Sequence, residues 1–134
     1  MLRPAVPVDL PALLAIRDRA GADALSDPAL ITEAGLRRLI AAGAGTVAEE
    51  AGSPAGFAAI DGEHIHLLVD TARRNQGLGR ALLDRACDAV RDAGFAAAVL
   101  TLAAESIAER HYRAAGWIQI GRSPAGGVVL KKPC

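Results

Sequence analysis

The sequence predicts an α/β domain with a mixed, mostly antiparallel central sheet flanked by about four helices. Three observations predict it. Short strand-like apolar runs and amphipathic helical runs alternate in the order β-α-α-β-β-β-α-β-α-β-β. An Asp61-Gly62 tight turn sits between two strand-like runs and marks an antiparallel meander in mid-chain. Residues 95–103 are apolar without alternation, which suits a strand covered on both faces.

Residues 2–6 form the first expected strand. Asp9 is placed to cap a helix with Pro11 in its first turn, and Leu10, Leu13, Leu14 and Ile16 supply its apolar face to about Ala20. After a loop over residues 21–28, Asp27-Pro28 is read as opening a second helix with Leu30, Ile31, Leu36, Leu39 and Ile40, ended by Gly43-Ala44-Gly45. Residues 46–49, 57–60 and 64–69 are the meander strands, with Gly52-Ser53-Pro54 as the first turn. A glycine-bearing loop runs into a helix over residues 77–93, whose buried face is Leu78, Leu82, Leu83, Ala86 and Val90 and whose C-cap is Gly94. The strand at 95–103 follows, then a helix over 105–115 stopped by Gly116. Residues 117–122 and 128–131 close the sheet as a hairpin.

Length and composition narrow the function. The chain of 134 residues fits one domain spanning residues 1–134, and 51% hydrophobic against 22% charged residues readily supplies a core. Fifteen basic residues balance fifteen acidic ones, and aromatics make up 3%, so neither a charge field nor a stacking platform favours a nucleic-acid partner. Pro4, Pro7 and Pro11 break the N-terminal apolar run before it reaches signal-peptide length. No stretch approaches the roughly 18 apolar residues that span a bilayer. No membrane partner and a cytoplasmic location are the expectations. Cys87 in a helix and Cys134 at the end of the sequence are a poor basis for a structural disulfide, and no Cys/His spacing resembles a metal site.

The segment richest in chemistry is Leu67-Leu68-Val69-Asp70-Thr71-Ala72-Arg73-Arg74-Asn75-Gln76-Gly77-Leu78-Gly79-Arg80. A strand ends, a polar turn follows, and two glycines open a helix. Free N–H groups and the helix dipole favour an anion there, and glycine removes the Cβ that would block its approach. Arg73, Arg74 and Arg80 add full positive charge, so the expected ligand is a pyrophosphate. A dinucleotide fingerprint would want glycine where Leu82 stands, and a P-loop would want Gly-Lys-Ser/Thr. Simple turn glycines with solvated arginines are the bland alternative.

Arg74-x-x-Gly77-x-Gly79 resembles the pyrophosphate motif of the GCN5-related N-acetyltransferases. Downstream, Ala108-Glu109-Arg110-His111-Tyr112-Arg113-Ala114-Ala115-Gly116-Trp117 is similar to the family's second signature, and the element order agrees over nearly the whole chain. Where the family often has Asn seven residues before the tyrosine, this chain has Glu105.

The resemblance implies direct acetyl transfer from acetyl-CoA to an amine in a ternary complex, with acetyl-CoA as cosubstrate and no metal. It implies cofactor binding by Leu68, Val69, Arg74, Asn75, Gln76, Gly77, Leu78, Gly79 and Arg80, with a backbone N–H near Leu68 or Val69 polarising the thioester. Tyr112, at the tyrosine position, is the expected proton donor to the leaving thiolate; packing beside Trp117 is the alternative. Glu63, eleven residues before Arg74, is the candidate base. Period-2 geometry puts Glu63, Ile65, Leu67 and Val69 on one strand face and His64 and His66 on the other; the histidines are expected to face solvent, though either could relay a proton. His111 is read as surface, pointing away from Tyr112. The acceptor is expected to be the amine of a small or amino-acid-like molecule, in a pocket that the resemblance assigns to the first two helices, their connection and the closing strands. Asp18, Asp23 and Asp27 there could attract a cationic amine, with a solvated mixed-charge loop beside Arg17 and Arg19 as the commoner alternative. A protein lysine or N-terminal acetyltransferase and a CoA-binding sensor without turnover are the rivals, and a homodimer is left open.

Overall fold

The computed structural model describes residues 1–20, 31–73, 77–124 and 126–134. Seven strands form one sheet in the order β1-β2-β3-β4-β5-β7-β6. They are β1 (Leu2–Pro4), β2 (Gly45–Glu50), β3 (Ser53–Asp61), β4 (His64–Val69), β5 (Ala97–Leu102), β6 (Ile118–Arg122) and β7 (Val128–Pro133). The helices are α1 (Leu10–Ala20), α2 (Glu33–Ala41), α3 (Leu78–Asp92) and α4 (Ile107–Ala114). Every strand pair is antiparallel except β4–β5.

Two apolar clusters straddle this sheet. On one side α3 buries Leu82, Ala86 and Val90, one helical turn apart, against Ile65, Leu67, Ala98 and Leu100, with Trp117 and Leu130 completing the layer. On the other, Leu13 and Ile16 of α1 and Leu36 and Leu39 of α2 pack on Phe57, Ala59 and Leu68. Strand β4 contributes to both clusters, and β5, packed on α3 through Ala98, Leu100 and Leu102, is buried over residues 97–102 without alternation.

The local chemistry explains where element boundaries differ from expectation. Pro4 and Pro7 end β1 at Pro4, and a 3-10 turn over Pro7–Asp9 precedes α1. Asp9 does not act as a simple cap. Its carboxylate reaches back to the Val6 N–H at 2.8 Å and takes both Nη atoms of Arg3 at 2.7 and 2.9 Å. Arg3 also donates through Nε to Glu49 at 2.7 Å, so this cluster ties β1, β2 and the start of α1 together. The second helix begins at Glu33, because the Thr32 hydroxyl accepts the Gly35 N–H at 3.0 Å; Asp23, Asp27, Pro28 and Leu30 lie outside the described residues. The β2–β3 turn falls at Ala51 and Gly52, both with positive φ, which leaves Ser53 and Pro54 inside β3 beside a register shift at Ala48/Glu49.

Candidate active site

Strands β4 and β5 run parallel, yet their ladder registers only at His64↔Val99. There the Val99 N–H donates to the Glu63 carbonyl at 2.9 Å. By contrast β5 pairs with β7 at six positions. Beyond His64 the two strands therefore diverge, and the wedge opens toward their carboxyl ends. Open parallel strands place ligands at that end, because helix N-termini converge on it.

Which backbone groups of β4 face the wedge follows from the ladder. The Asp70 N–H donates to the Ala55 carbonyl on β3 at 2.8 Å. Backbone groups alternate along an antiparallel strand, so Leu68 also directs its peptide toward β3, whereas Val69 directs its peptide toward β5. The side chains divide the same way: Leu68 is buried in the α1/α2 cluster and Val69 packs on the α3 side.

Helix α3 starts at the mouth of the wedge. Gly77 caps it at φ 80°, a left-handed conformation that glycine adopts without a Cβ penalty. Gly79 sits over Val69, where an added Cβ would lie 3.6 Å from Cγ2, an ordinary contact. The Ala81 N–H donates to the Gly77 carbonyl at 3.0 Å, which makes Leu78, Gly79 and Arg80 the first-turn residues whose amides point out of the helix start. Thr32 caps α2 and Ser106 caps α4 through their hydroxyls, but α3 has no side-chain cap. Its first turn also lacks an acidic residue and carries Arg80 instead. That reverses the charge order a helix dipole prefers, and an anionic ligand restores it. Arg74, Asn75 and Gln76 lie outside the described residues.

On the β5 side, the wedge ends in Glu105, which has φ 61°. The helix expected from residue 105 starts at Ile107 because that conformation is not helical. The Glu109 carboxylate accepts the Glu105 N–H at 2.9 Å and the Arg113 Nε at 2.8 Å, and these bonds hold its pKa below the usual carboxylate range.

Tyr112, on α4, is half-buried against the α3-side cluster. Its ring lies edge-to-face with Trp117 at 5.9 Å and with His111 at 5.3 Å. His111 is exposed as expected, but it does not point away from Tyr112, since adjacent helical side chains of this size still meet at their edges.

Glu63 departs from its expected place on the strand. It occupies the Gly62-Glu63 turn, half-buried at the closed end of the wedge, because β4 begins only at His64. The histidines do not face solvent either. His66 is completely buried and His64 half-buried, with the rings stacked at 6.3 Å, because helices cover the β4 face that alternation alone leaves open. Among the described residues no group of three or more potential ligands could hold a metal ion. Cys87 and Cys134 are both free thiols, and burial pushes Cys87 up to about 12. No helix among those residues is long and apolar enough to cross a membrane.

Residues 22–126 match the model of the acetyltransferase (GNAT) domain family. The chain belongs to that family. Solved structures of the same fold include a GCN5-related N-acetyltransferase from Rhodopseudomonas palustris, 21% identical with a TM-score of 0.80, covering 100% of this chain and 95% of that one. Salmonella typhimurium YncA, solved with its cofactor acetyl-CoA, is 21% identical with a TM-score of 0.77 over 99% and 92% of the two chains. A ribosomal-protein-alanine N-acetyltransferase from Brucella melitensis is 22% identical with a TM-score of 0.76 over 100% and 99%. No curated protein sequence matches the chain. The α/β GNAT architecture read from the sequence is therefore the fold of this acetyltransferase domain.

Proposed function

We propose that this acetyltransferase moves the acetyl group of acetyl-CoA to the amine of a small or amino-acid-like acceptor by direct attack. The observation that carries the reading is the wedge: parallel β4 and β5 part after His64↔Val99, and the α3 amides without a side-chain cap stand at its mouth. The amides of Leu78, Gly79 and Arg80, with the side chains of Arg74 and Arg80, hold the pyrophosphate; Asn75 and Gln76 complete the loop around it. Val69 offers its backbone to the pantetheine arm and thioester inside the wedge, and Leu68 supports that strand from the other layer.

Two proton transfers accompany the acyl transfer. The attacking amine loses a proton, and Glu63, beside His64 at the closed end of the wedge, takes it directly or through water. The sulfur leaves as a thiolate and takes a proton from the phenol of Tyr112, a neutral donor at pH 7 held edge-on by Trp117. The Brucella relative is named for an alanine of a ribosomal protein as acceptor. At 22% identity that likeness carries the fold, and the small-amine reading stands on its own test.

The test begins with acetyl-CoA and purified protein. Thermal stabilisation by acetyl-CoA and thiol release across a panel of small amines support the proposal; absence of stabilisation overturns the cofactor site. Stabilisation without release from any small amine or peptide points to a sensor. Arg74→Ala is expected to weaken CoA binding about tenfold, whereas Tyr112→Phe slows turnover about 10²-fold with binding nearly unchanged. Equal loss of binding in both variants overturns the division of roles.

A further inference from the structure

Asp70 stands where the chain leaves β4 for the phosphate loop, and three elements hold it. Its N–H donates to the Ala55 carbonyl on β3 at 2.8 Å. Its Oδ1 accepts the Ala72 N–H at 3.3 Å, which pins the turn over Thr71–Arg73. Its Oδ2 accepts from Arg19 Nη2, in the last turn of α1, at 3.0 Å. The side chain is only 13% exposed.

A carboxylate at this place is costly for an anion site. Unit charges a few ångströms to a nanometre apart interact appreciably in a partly buried setting, and Asp70 would repel a bound pyrophosphate. Arg19 removes that conflict. Its guanidinium takes Oδ2 and neutralises the carboxylate from the α1 side, leaving Oδ1 to do geometric work. The Oδ1 bond to Ala72 fixes the turn over Thr71–Arg73, while the backbone N–H bond to Ala55, which does not depend on the side chain, fixes the strand end on which Gly79 rests through Val69.

The geometry points to Asp70 as a positioning residue for the phosphate loop, with Arg19 as a counter-charge supplied from α1. This rests on the acetyl-CoA reading above and names a determinant of donor affinity outside the loop. The pair also joins α1, the helix on the expected acceptor side, to the start of the cofactor loop.

The test compares acetyl-CoA with S-acetyl-N-acetylcysteamine, a donor that lacks the pyrophosphate. In Asp70→Ala, KM for acetyl-CoA rises about tenfold with kcat within twofold, while the rate with the truncated donor stays within twofold of wild type. Asp70→Asn retains an oxygen for Ala72 and loses no more than about threefold. Arg19→Ala removes the α1 cation from the carboxylate, and its KM penalty for acetyl-CoA shrinks as salt is raised from about 50 to about 500 mM. Equal losses on both donors, or an Asp70→Ala KM within twofold of wild type, overturn the proposal. A wild-type protein with no preference for acetyl-CoA over the truncated donor overturns the phosphate-loop reading instead. Circular dichroism of each variant, with Asp70→Asn as the milder change, separates misfolding from repositioning.

Discussion

Glu105 offers a backbone experiment with a clear sign. Its φ of 61° lies in the left-handed region, where a Cβ costs an L-residue roughly 1–2 kcal/mol. The side chain is exposed, and the bond that matters at this position, from its N–H to Glu109, belongs to the backbone. Glu105→Gly relieves the Cβ penalty but raises unfolded-state entropy by about 0.4–1 kcal/mol, for a net gain of about 0.5–1 kcal/mol. Asn tolerates this region without that entropic loss and is expected to gain about 0.5 kcal/mol. Ala keeps the strain and changes stability by less than about 0.3 kcal/mol. Urea denaturation resolves these differences, and the glycine variant should melt about 2–4 °C higher. A glycine variant no more stable than Ala refutes the strain account. The same series addresses the family's usual Asn. If Asn is favoured there for its backbone, Glu105→Asn stabilises the fold and leaves CoA affinity within twofold. Tighter CoA binding by tenfold would show a side-chain contact instead.

Asp9→Asn removes the charge that Arg3 grips through two bonds, and should cost on the order of 2 kcal/mol near pH 7. Arg3 holds the Asp9 pKa below the usual carboxylate range, so this stability is present above that range and lost as pH falls through and below it. Urea midpoints of wild type and variant should therefore converge toward pH 3; a constant gap refutes the linkage. Gly77→Ala forces an L-residue to φ 80° and should destabilise by about 1–2 kcal/mol, with CoA affinity falling by more than thermal stability alone explains. Retained affinity in calorimetry would separate the cap from the cofactor. Leu68→Ala empties a fully buried position in the α1/α2 cluster and should cost about 3 kcal/mol while CoA affinity changes less than threefold.

The legible parts of this fold were those with local causes. The hairpin after β3 (its turn one residue later than read, at Gly62-Glu63, because Asp61 pairs with His64), the 64–69 strand and the α3 stripe of Leu82, Ala86 and Val90 each follow from periodicity and turn chemistry within a few residues. Misread features had distant causes. Asp9 looks like a cap until Arg3 and Glu49 arrive from two strands. Histidines 64 and 66 look solvent-facing until α1 and α2 cover the sheet, although the unbroken His64-Ile65-His66-Leu67-Leu68-Val69 run already resembles a strand between two layers. Glu63 reads as part of the strand from sequence because a spacing of eleven residues to Arg74 cannot tell a strand end from a turn.

The site itself divides along the same line. The glycine pair and its arginines announce an anion from sequence alone, since a helix N-terminus carries its donors wherever it goes. What converts that anion site into a cofactor site is the divergence of β4 from β5, and no local pattern encodes it. The single registered pair at His64↔Val99 requires β7 to occupy the far edge of β5 and α3 to lean on Val69, contacts drawn from both halves of the chain. Asp70 joins the two kinds of information: its place after β4 is readable, but the reason a carboxylate is tolerated beside an anion is Arg19, 51 positions earlier. A loop motif can therefore be read from neighbours along the chain, while the charge balance that lets the loop bind is set by neighbours in space.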